Sequence, residues 1–215
     1  MKYFIANWKA NINLEEALNW INKFLTMPSR NDRFKMVICP PAHLIFPINL
    51  RLKESEIISL GVQDLSSFES GNYTGEITAK SLQGLVDYAI IGHSERRKYF
   101  NEVYDLLSKK VLLAKKYQIE PIFCVRGEND PIPPSVRIVA YEPVYAIGSG
   151  NNEPIGKVLE VKQKLKLPKN AVFIYGGSVN KNNISSYLHC QEIDGLLIGN
   201  ASLDAKEFHD IVNQA

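Results

Sequence analysis

Residues 88–125 read YAIIGHSERRKYFNEVYDLLSKKVLLAKKYQIEPIFCV and contain a complete strand-helix-strand pattern. The runs at 88–92 and 120–125 are short and almost continuously apolar, which is typical of strands covered on both faces of a parallel sheet. The run at 102–118 between them has the apolar spacing of an amphipathic helix. The stretch therefore predicts two parallel strands joined by a crossover helix.

The same alternation extends over the whole chain of 215 residues, and no stretch resembles a linker. Further strands are predicted at 3–7, 35–39, 57–63, 137–142, 171–175 and 194–198. Further helices are predicted at 14–26, within 42–53, and at 78–86, 154–166, 181–190 and 204–213. Eight strands fit a (β/α)8 barrel, although a doubly wound open sheet has the same alternation. We expect a single domain over residues 1–215.

One crossover lacks a helix pattern. Only RGENDPIPPSV, residues 126–136, separates the fifth and sixth strand runs, and its prolines 131, 133 and 134 prevent a continued helix. Such a segment spans roughly 35 Å when extended, which is enough to return along one strand. We therefore predict that this short proline-rich segment replaces the fifth crossover helix.

Composition excludes several classes of protein. The chain has 45% apolar and 22% charged residues, and its net charge of +2 comes from dispersed Lys and Arg, so neither nucleic acid nor a membrane is an expected partner. No window approaches the ~18–20 apolar residues of a membrane span, so a cytoplasmic protein is expected. Cys39, Cys124 and Cys190 have no CxxC spacing. No disulfide framework and no metal site are predicted.

Polar and glycine-rich motifs follow five of the strand runs. They are ANWKAN, IGHSERR, AYEPVYAIGSGN, IYGGSVN and LLIGNASL, after the first, fourth, sixth, seventh and eighth runs. Ligands of parallel α/β folds bind beyond the carboxyl ends of the strands, so these motifs are expected to meet at one site. The glycine clusters at 176–178 and 199–202 offer backbone N–H groups of the kind that bind phosphate.

The motifs NWK, GHSERR, AYEPV-aromatic-AIG, YGGSV and DGLLIG-x-ASL resemble, in this order, those of the triosephosphate isomerase family. The resemblance extends from Asn7 to Leu203. It implies a TIM barrel that interconverts dihydroxyacetone phosphate and D-glyceraldehyde 3-phosphate through a cis-enediolate, in glycolysis and gluconeogenesis. It also implies that no cofactor is needed and that the protein is a homodimer, with Thr74 of the GNYTGE loop reaching the partner's active-site entrance.

The resemblance assigns the chemistry to particular side chains. Glu142 matches the base that removes a proton next to the carbonyl, and His93 and Lys9 match the groups that stabilise charge on the substrate oxygens. Asn7 matches the residue that positions the lysine, and its spacing of two from Lys9 places both on one face. Glu95 matches the family's acid beside the lysine; its alternative is a carboxylate favoured by a helix N-terminus.

Without the resemblance, a lone histidine after a strand is more often structural, and a lysine there is more often solvated. Ser94 is expected to cap a short helix beside His93, and a helix N-terminus disfavours the imidazolium. Arg96 and Arg97 are expected to form ion pairs that hold this loop.

By resemblance, the phosphate is bound by the amides of Gly148, Ser178, Gly199 and Asn200, and residues 144–150 form a hinged lid. Three positions depart from the family pattern. Asn200 stands where a second glycine is usual, and asparagine tolerates a left-handed backbone. Tyr145 replaces a tryptophan, and Asn101 replaces a glycine.

Two other functions fit the same scaffold. A catalytically weak protein that binds phosphorylated metabolites needs only the glycine clusters, whereas this sequence also has Asn7, Lys9, His93 and Glu142. A different barrel enzyme, acting on a phosphorylated sugar or an indole precursor, would lack the AYEPV-aromatic-AIG loop.

Overall fold

The computed structural model describes residues 1–28, 34–53, 55, 57–146 and 152–214. Within these residues, eight parallel strands follow one another in chain order, and the last pairs with the first to close a barrel. The strands are β1 Lys2–Asn7, β2 Phe34–Cys39, β3 Ile58–Val62, β4 Tyr88–Ile91, β5 Glu120–Val125, β6 Ile138–Tyr141, β7 Val172–Tyr175 and β8 Gly195–Ile198. The closed barrel confirms the predicted fold and excludes the open sheet.

Helices alternate with the strands on the outside of the barrel. They are α1 Leu14–Leu25, α2 Ile45–Leu52, α3 Ala79–Leu82, α4 Ser94–Tyr99, α5 Tyr104–Lys116, α6 Ile155–Lys164, α7 Ser185–Leu188 and α8 Ala205–Val212. None of these described helices is long and apolar enough to cross a membrane.

Alternating side chains of each strand belong to two hydrophobic cores. Along β5, Ile122 and Cys124 point into the barrel, whereas Phe123 and Val125 point outward toward the helices. All four are fully buried. Burial on both faces explains why the strand runs are apolar at nearly every position.

The proline-rich crossover contains no helix in residues 126–137, all of which the structure describes, so this prediction is confirmed. The backbone N–H and the guanidinium of Arg126 donate to the Asp130 carboxylate over 2.8–3.0 Å, which closes a tight turn after β5. Val136 is buried and Ile132 packs against the outer core. These two side chains cover part of the surface that a crossover helix would otherwise cover.

Two predicted helices are shorter than expected. The helix predicted at 78–86 ends at Leu82, because Gly84 has a φ of +76°, which a helix cannot contain. The helix predicted at 181–190 covers only α7. Before it, the side chain of Asn183 accepts a hydrogen bond from the backbone N–H of Asn180 at 2.9 Å, and such local bonds compete with helix formation.

Candidate active site

A cavity of about 270 Å³ lies at the carboxyl ends of the strands. The predicted site residues that line it are Asn7, Lys9, His93, Glu142, Ser178, Gly199 and Asn200. They follow β1, β4, β6, β7 and β8, so strand order alone brings together residues that are far apart in the sequence. Gly148 lies outside the described residues.

Glu142 follows β6 directly and is 1% exposed. Its Oε1 lies 2.8 Å from Nε2 of His93, and its Oε2 accepts a hydrogen bond of 2.8 Å from the backbone N–H of Ser94. Its own N–H donates to the carbonyl of Val125, which extends the β5–β6 pairing by one residue. Both the backbone and the carboxylate of this acid therefore have defined positions.

His93 is buried, and its Nδ1 accepts a hydrogen bond of 3.3 Å from the backbone N–H of Glu95. A nitrogen that accepts has no proton, so this geometry places the proton on Nε2, which faces Glu142. In this tautomer, Nε2–H donates to Oε1 of Glu142. The predicted Ser94 cap is wrong: His93 itself occupies the N-cap of α4, and Ser94 is the first helical residue.

Lys9 adopts a left-handed backbone with φ +50°. Non-glycine residues in this region are strained, and such strain is often found at functional sites. The side chain of Asn7 accepts from the Lys9 N–H at 3.2 Å, and Gln63 donates to the Lys9 carbonyl at 2.8 Å. The Lys9 ammonium lies 2.5 Å from Glu95, which is 40% exposed and does not line the cavity.

The part of the cavity that follows β7 and β8 presents backbone donors. Among the described residues, the N–H groups of Ser178, Gly199 and Asn200 have no acceptor. Asn200 opens a 3-10 turn, Asn200–Ser202, and is not among the residues with positive φ. Asn200 therefore does not adopt the left-handed backbone that motivated the glycine comparison, whereas Asn101 does adopt a left-handed φ of +53°.

Two buried indoles hold the turn after β8. The Nε1 atoms of Trp8 and Trp20 both donate to the carbonyl of Ser202, at 3.2 and 3.0 Å. The Ser202 hydroxyl also donates to the carbonyl of Gly199. The backbone that presents the Gly199 and Asn200 amides is thus fixed to β1 and α1.

The arginines after His93 have different partners. The Nε of Arg96 lies 2.8 Å from both Asp64 and Glu102, as the ion-pair prediction requires. Burial raises the pKa of the Asp64 carboxyl to about 6. Arg97 instead donates to the backbone carbonyls of Gly92 and Cys124, so its predicted ion pair is wrong.

Two features of the site could not be singled out from the sequence. Gln63 follows β3 as an ordinary polar residue, and only its double hydrogen bond, to the carbonyls of Lys9 and Cys39, reveals a role. Glu153 lies two residues before α6 and is fully buried. Within the described part of the chain, no group of three or more His, Cys, Asp or Glu side chains could hold a metal ion.

Thr74 does not belong to the cavity. It lies on the exposed loop between β3 and α3, beside the exposed Tyr73, whose ring stacks on Phe68 with centroids 3.7 Å apart. Its predicted role depends on a second subunit.

At the carboxyl ends of its strands, this barrel brings together an acid, an imidazole, a lysine and backbone amides that have no acceptor among the described residues. These features define a class: TIM-barrel proteins with a polar site at that end of the barrel. The family model described as triosephosphate isomerase matches residues 2–131 and 133–215. The chain belongs to the triosephosphate isomerase family.

Three relatives named triosephosphate isomerase support this assignment. The chain is 36% identical to that of Dictyoglomus turgidum over 251 residues, which cover 98% of each chain. It is 36% identical to that of Dehalococcoides mccartyi over 240 residues, or 98% of this chain and 94% of the relative. The relative from Mesomycoplasma hyopneumoniae is also 36% identical over 240 residues, with 98% of each chain covered. These alignments exceed the 215 residues of this chain, so the relatives have segments that it lacks.

Proposed function

We propose that the chain interconverts dihydroxyacetone phosphate and D-glyceraldehyde 3-phosphate through an enediolate. The observation that carries this proposal is the convergence of Glu142, His93 and Lys9 on one cavity that is also lined by residues whose amides have no acceptor in the described part of the chain. A protein that only binds phosphate needs the amides alone. The additional acid, donor and cation are the groups that a proton transfer beside a carbonyl requires.

In the proposed reaction, the carboxylate of Glu142 takes a proton from the carbon next to the carbonyl. The electrons of that C–H bond form a carbon–carbon double bond, the π pair of the carbonyl moves onto its oxygen, and Nε2–H of His93 and the ammonium of Lys9 stabilise the charge formed there. The hydroxyl proton of the neighbouring carbon then moves to this oxygen by way of His93. Glu142 returns its proton to the former carbonyl carbon, so that the neighbouring carbon becomes the new carbonyl and the carboxylate is restored. The carbonyl acidifies the adjacent carbon, so the reaction as proposed needs no metal and no organic cofactor.

The substrate phosphate is proposed to accept hydrogen bonds from the amides of Gly148, Ser178, Gly199 and Asn200. Hydrogen bonds to an ionised acceptor are stronger than those to a neutral one, which favours binding. Asn7 positions Lys9 through the bond to its N–H. Glu95 is proposed to act on the lysine through their ion pair. We further propose that residues 1–215 act as one domain and that the protein works in the cytoplasm.

A coupled assay with D-glyceraldehyde 3-phosphate tests the activity, and Glu142→Asp tests the base. The shorter side chain withdraws the carboxylate from the substrate, and a displacement of ~1 Å can lower turnover by about 10²-fold. Glu160→Asp is a matched control, because Glu160 is exposed on α6 and its carboxylate pairs with Lys164. Tight binding of inorganic phosphate without turnover by the unaltered chain would favour the alternative, a phosphate-metabolite binding protein.

The homodimer is a proposal based on the loop between β3 and α3. Phe68, Tyr73 and Ile77 are large apolar residues of this loop that are 42%, 43% and 38% exposed. A partner subunit would cover them and place Thr74 near its active site. Sedimentation at micromolar concentration should show a dimer, and a monomer alone would remove this proposal.

A further inference from the structure

Glu153 is a fully buried acid that the proposed reaction does not use. Its Oε2 accepts a hydrogen bond of 2.8 Å from the Tyr141 hydroxyl, and its Oε1 accepts one of 2.5 Å from the Tyr145 hydroxyl. Carboxylates are almost never fully buried unless they are paired. This one is paired with two tyrosines that lie on either side of Glu142 in the sequence.

The backbone of Glu153 is held independently of its side chain. Its N–H donates to the Tyr175 hydroxyl at 2.8 Å, and its carbonyl accepts from the Tyr187 hydroxyl at 2.5 Å. The two tyrosine rings stack, with centroids 4.5 Å apart. Replacement of the Glu153 side chain therefore leaves these anchors in place and removes its contacts to Tyr141 and Tyr145, together with an ion pair of 3.5 Å to Lys157.

We propose that Glu153 is a positioning residue, whose carboxylate fixes the segment that carries the base Glu142 by binding the hydroxyls of Tyr141 and Tyr145. The inference rests on the proposed isomerase activity. It adds a residue from the start of α6 to those that determine the position of the base.

The location of Glu142 explains why this support matters. The base follows β6, and the crossover before β6 has no helix. On the barrel's other side, packed helices hold the strand ends. Here, the hydrogen bonds that two tyrosine hydroxyls donate to a buried carboxylate take their place. The contact is also directional, because hydrogen bonding to Glu153 raises the pKa of Tyr145 and keeps its hydroxyl a donor.

Kinetics of Glu153→Ala give the first test. We expect kcat to fall roughly 10- to 100-fold, as for a base displaced by ~1 Å, while KM stays near the wild-type value because the phosphate-binding amides are untouched. Glu153→Gln should recover part of the loss, since an amide can accept from one hydroxyl and donate to the other. Glu160→Ala, at an exposed position on the adjacent helix α6, should leave both constants unchanged.

Amide hydrogen exchange gives a second test that does not depend on turnover. The Ser94 N–H is bonded to Oε2 of Glu142, so its protection reports where the base lies. Glu153→Ala should accelerate exchange at Ser94, and Glu160→Ala should not. A wild-type chain without isomerase activity would overturn the proposed function, yet exchange at Ser94 would still decide whether Glu153 positions Glu142.

A double-mutant cycle ties the effect to one hydrogen bond. If Glu153 acts through Tyr141, the effects of Tyr141→Phe and Glu153→Gln on kcat should be strongly non-additive. Tyr145→Phe removes the hydrogen bond between Tyr145, the more exposed of the two tyrosines, and Glu153. Its kcat and its Ser94 exchange can be measured if a variant at Glu153 fails to fold. Unchanged Ser94 exchange in Glu153→Ala, fully additive effects, or a rise in KM with constant kcat would each overturn the inference.

Discussion

The two sides of this barrel are held together differently. At β1 and β8, the rings of Trp8, Trp20, Phe24 and Phe208 pack between the strands and the helices α1 and α8, with centroids 4.9–5.9 Å apart. At β5 and β6, the crossover has no helix, and Ile132, Val136 and the Arg126–Asp130 turn stand in its place.

Each side supports a different part of the candidate site. The aromatic side holds the backbone that is proposed to bind phosphate, because two indoles donate to the Ser202 carbonyl. The helix-poor side holds the proposed base, and there the support is polar: Glu142 is hydrogen-bonded to Val125, Ser94 and His93. The comparison teaches that hydrogen bonds can fix a side chain at a strand end where no crossover helix packs.

Trp20→Ala should have the largest effect on stability. Removal of a buried tryptophan costs about 3–5 kcal/mol of the free energy of unfolding, and this variant also loses the bond to Ser202. Urea unfolding measures the loss. Trp20→Phe keeps most of the packing and should cost less, while the exposed Leu25→Ala on the same helix is the control. If Trp20→Ala lowers the free energy of unfolding by no more than Leu25→Ala, the aromatic rings do not stabilise this side of the barrel.

Val136→Ala tests the helix-poor side and should have a smaller effect. It removes two buried carbon atoms, or about 1–2 kcal/mol at about 0.8 kcal/mol for each buried methylene. Val103→Ala, at a position that is 63% exposed, is the matched control. Equal unfolding midpoints for the two variants would mean that Val136 does not cover the strands.

Asp130→Asn should have the smallest effect. Burial acts to raise the pKa of Asp130, but hydrogen bonds from Arg126 outweigh it and leave the pKa below its usual value. A lowered folded-state pKa stabilises the protein above the unfolded pKa of about 3.9, and this contribution is lost as the pH falls through the folded value. The variant should therefore be less stable at neutral pH by about 0.2–1 kcal/mol.

A pH series of unfolding measurements on Asp130→Asn checks the sign. The difference from wild type should stay constant from neutral pH to about pH 4 and then shrink at lower pH. A difference that instead grows with acidity would show that the Arg126–Asp130 turn does not stabilise the carboxylate.

Much of the fold could be predicted because β-strands buried on both faces leave an unambiguous apolar run, as at 120–125. The absence of a helix between β5 and β6 could also be predicted, because proline prevents a continued helix. The ends of two helices could not be predicted correctly. They depend on the φ of Gly84 and on the side-chain hydrogen bond of Asn183, and the spacing of apolar residues reports neither.

In the candidate site, too, some residues could be predicted from the sequence and others could not. Residues at strand ends, such as Glu142 and Lys9, could be placed by topology. Gln63 and Glu153 could not, because their roles depend on hydrogen bonds to residues distant in the sequence. The orientation of His93, with Nδ1 accepting from Glu95, likewise follows from the backbone course of α4, which no pattern specified in advance.

The central claim is that Glu142 transfers a proton on a substrate held in this cavity. Isomerisation of dihydroxyacetone phosphate in deuterium oxide, followed by proton magnetic resonance of the product, tests it most directly. The account predicts that the wild-type chain introduces solvent deuterium at the carbon next to the carbonyl and that Glu142→Gln, which cannot take up a proton, loses both exchange and turnover. Turnover by Glu142→Gln at the wild-type rate, or wild-type turnover without any deuterium in the product, would contradict it.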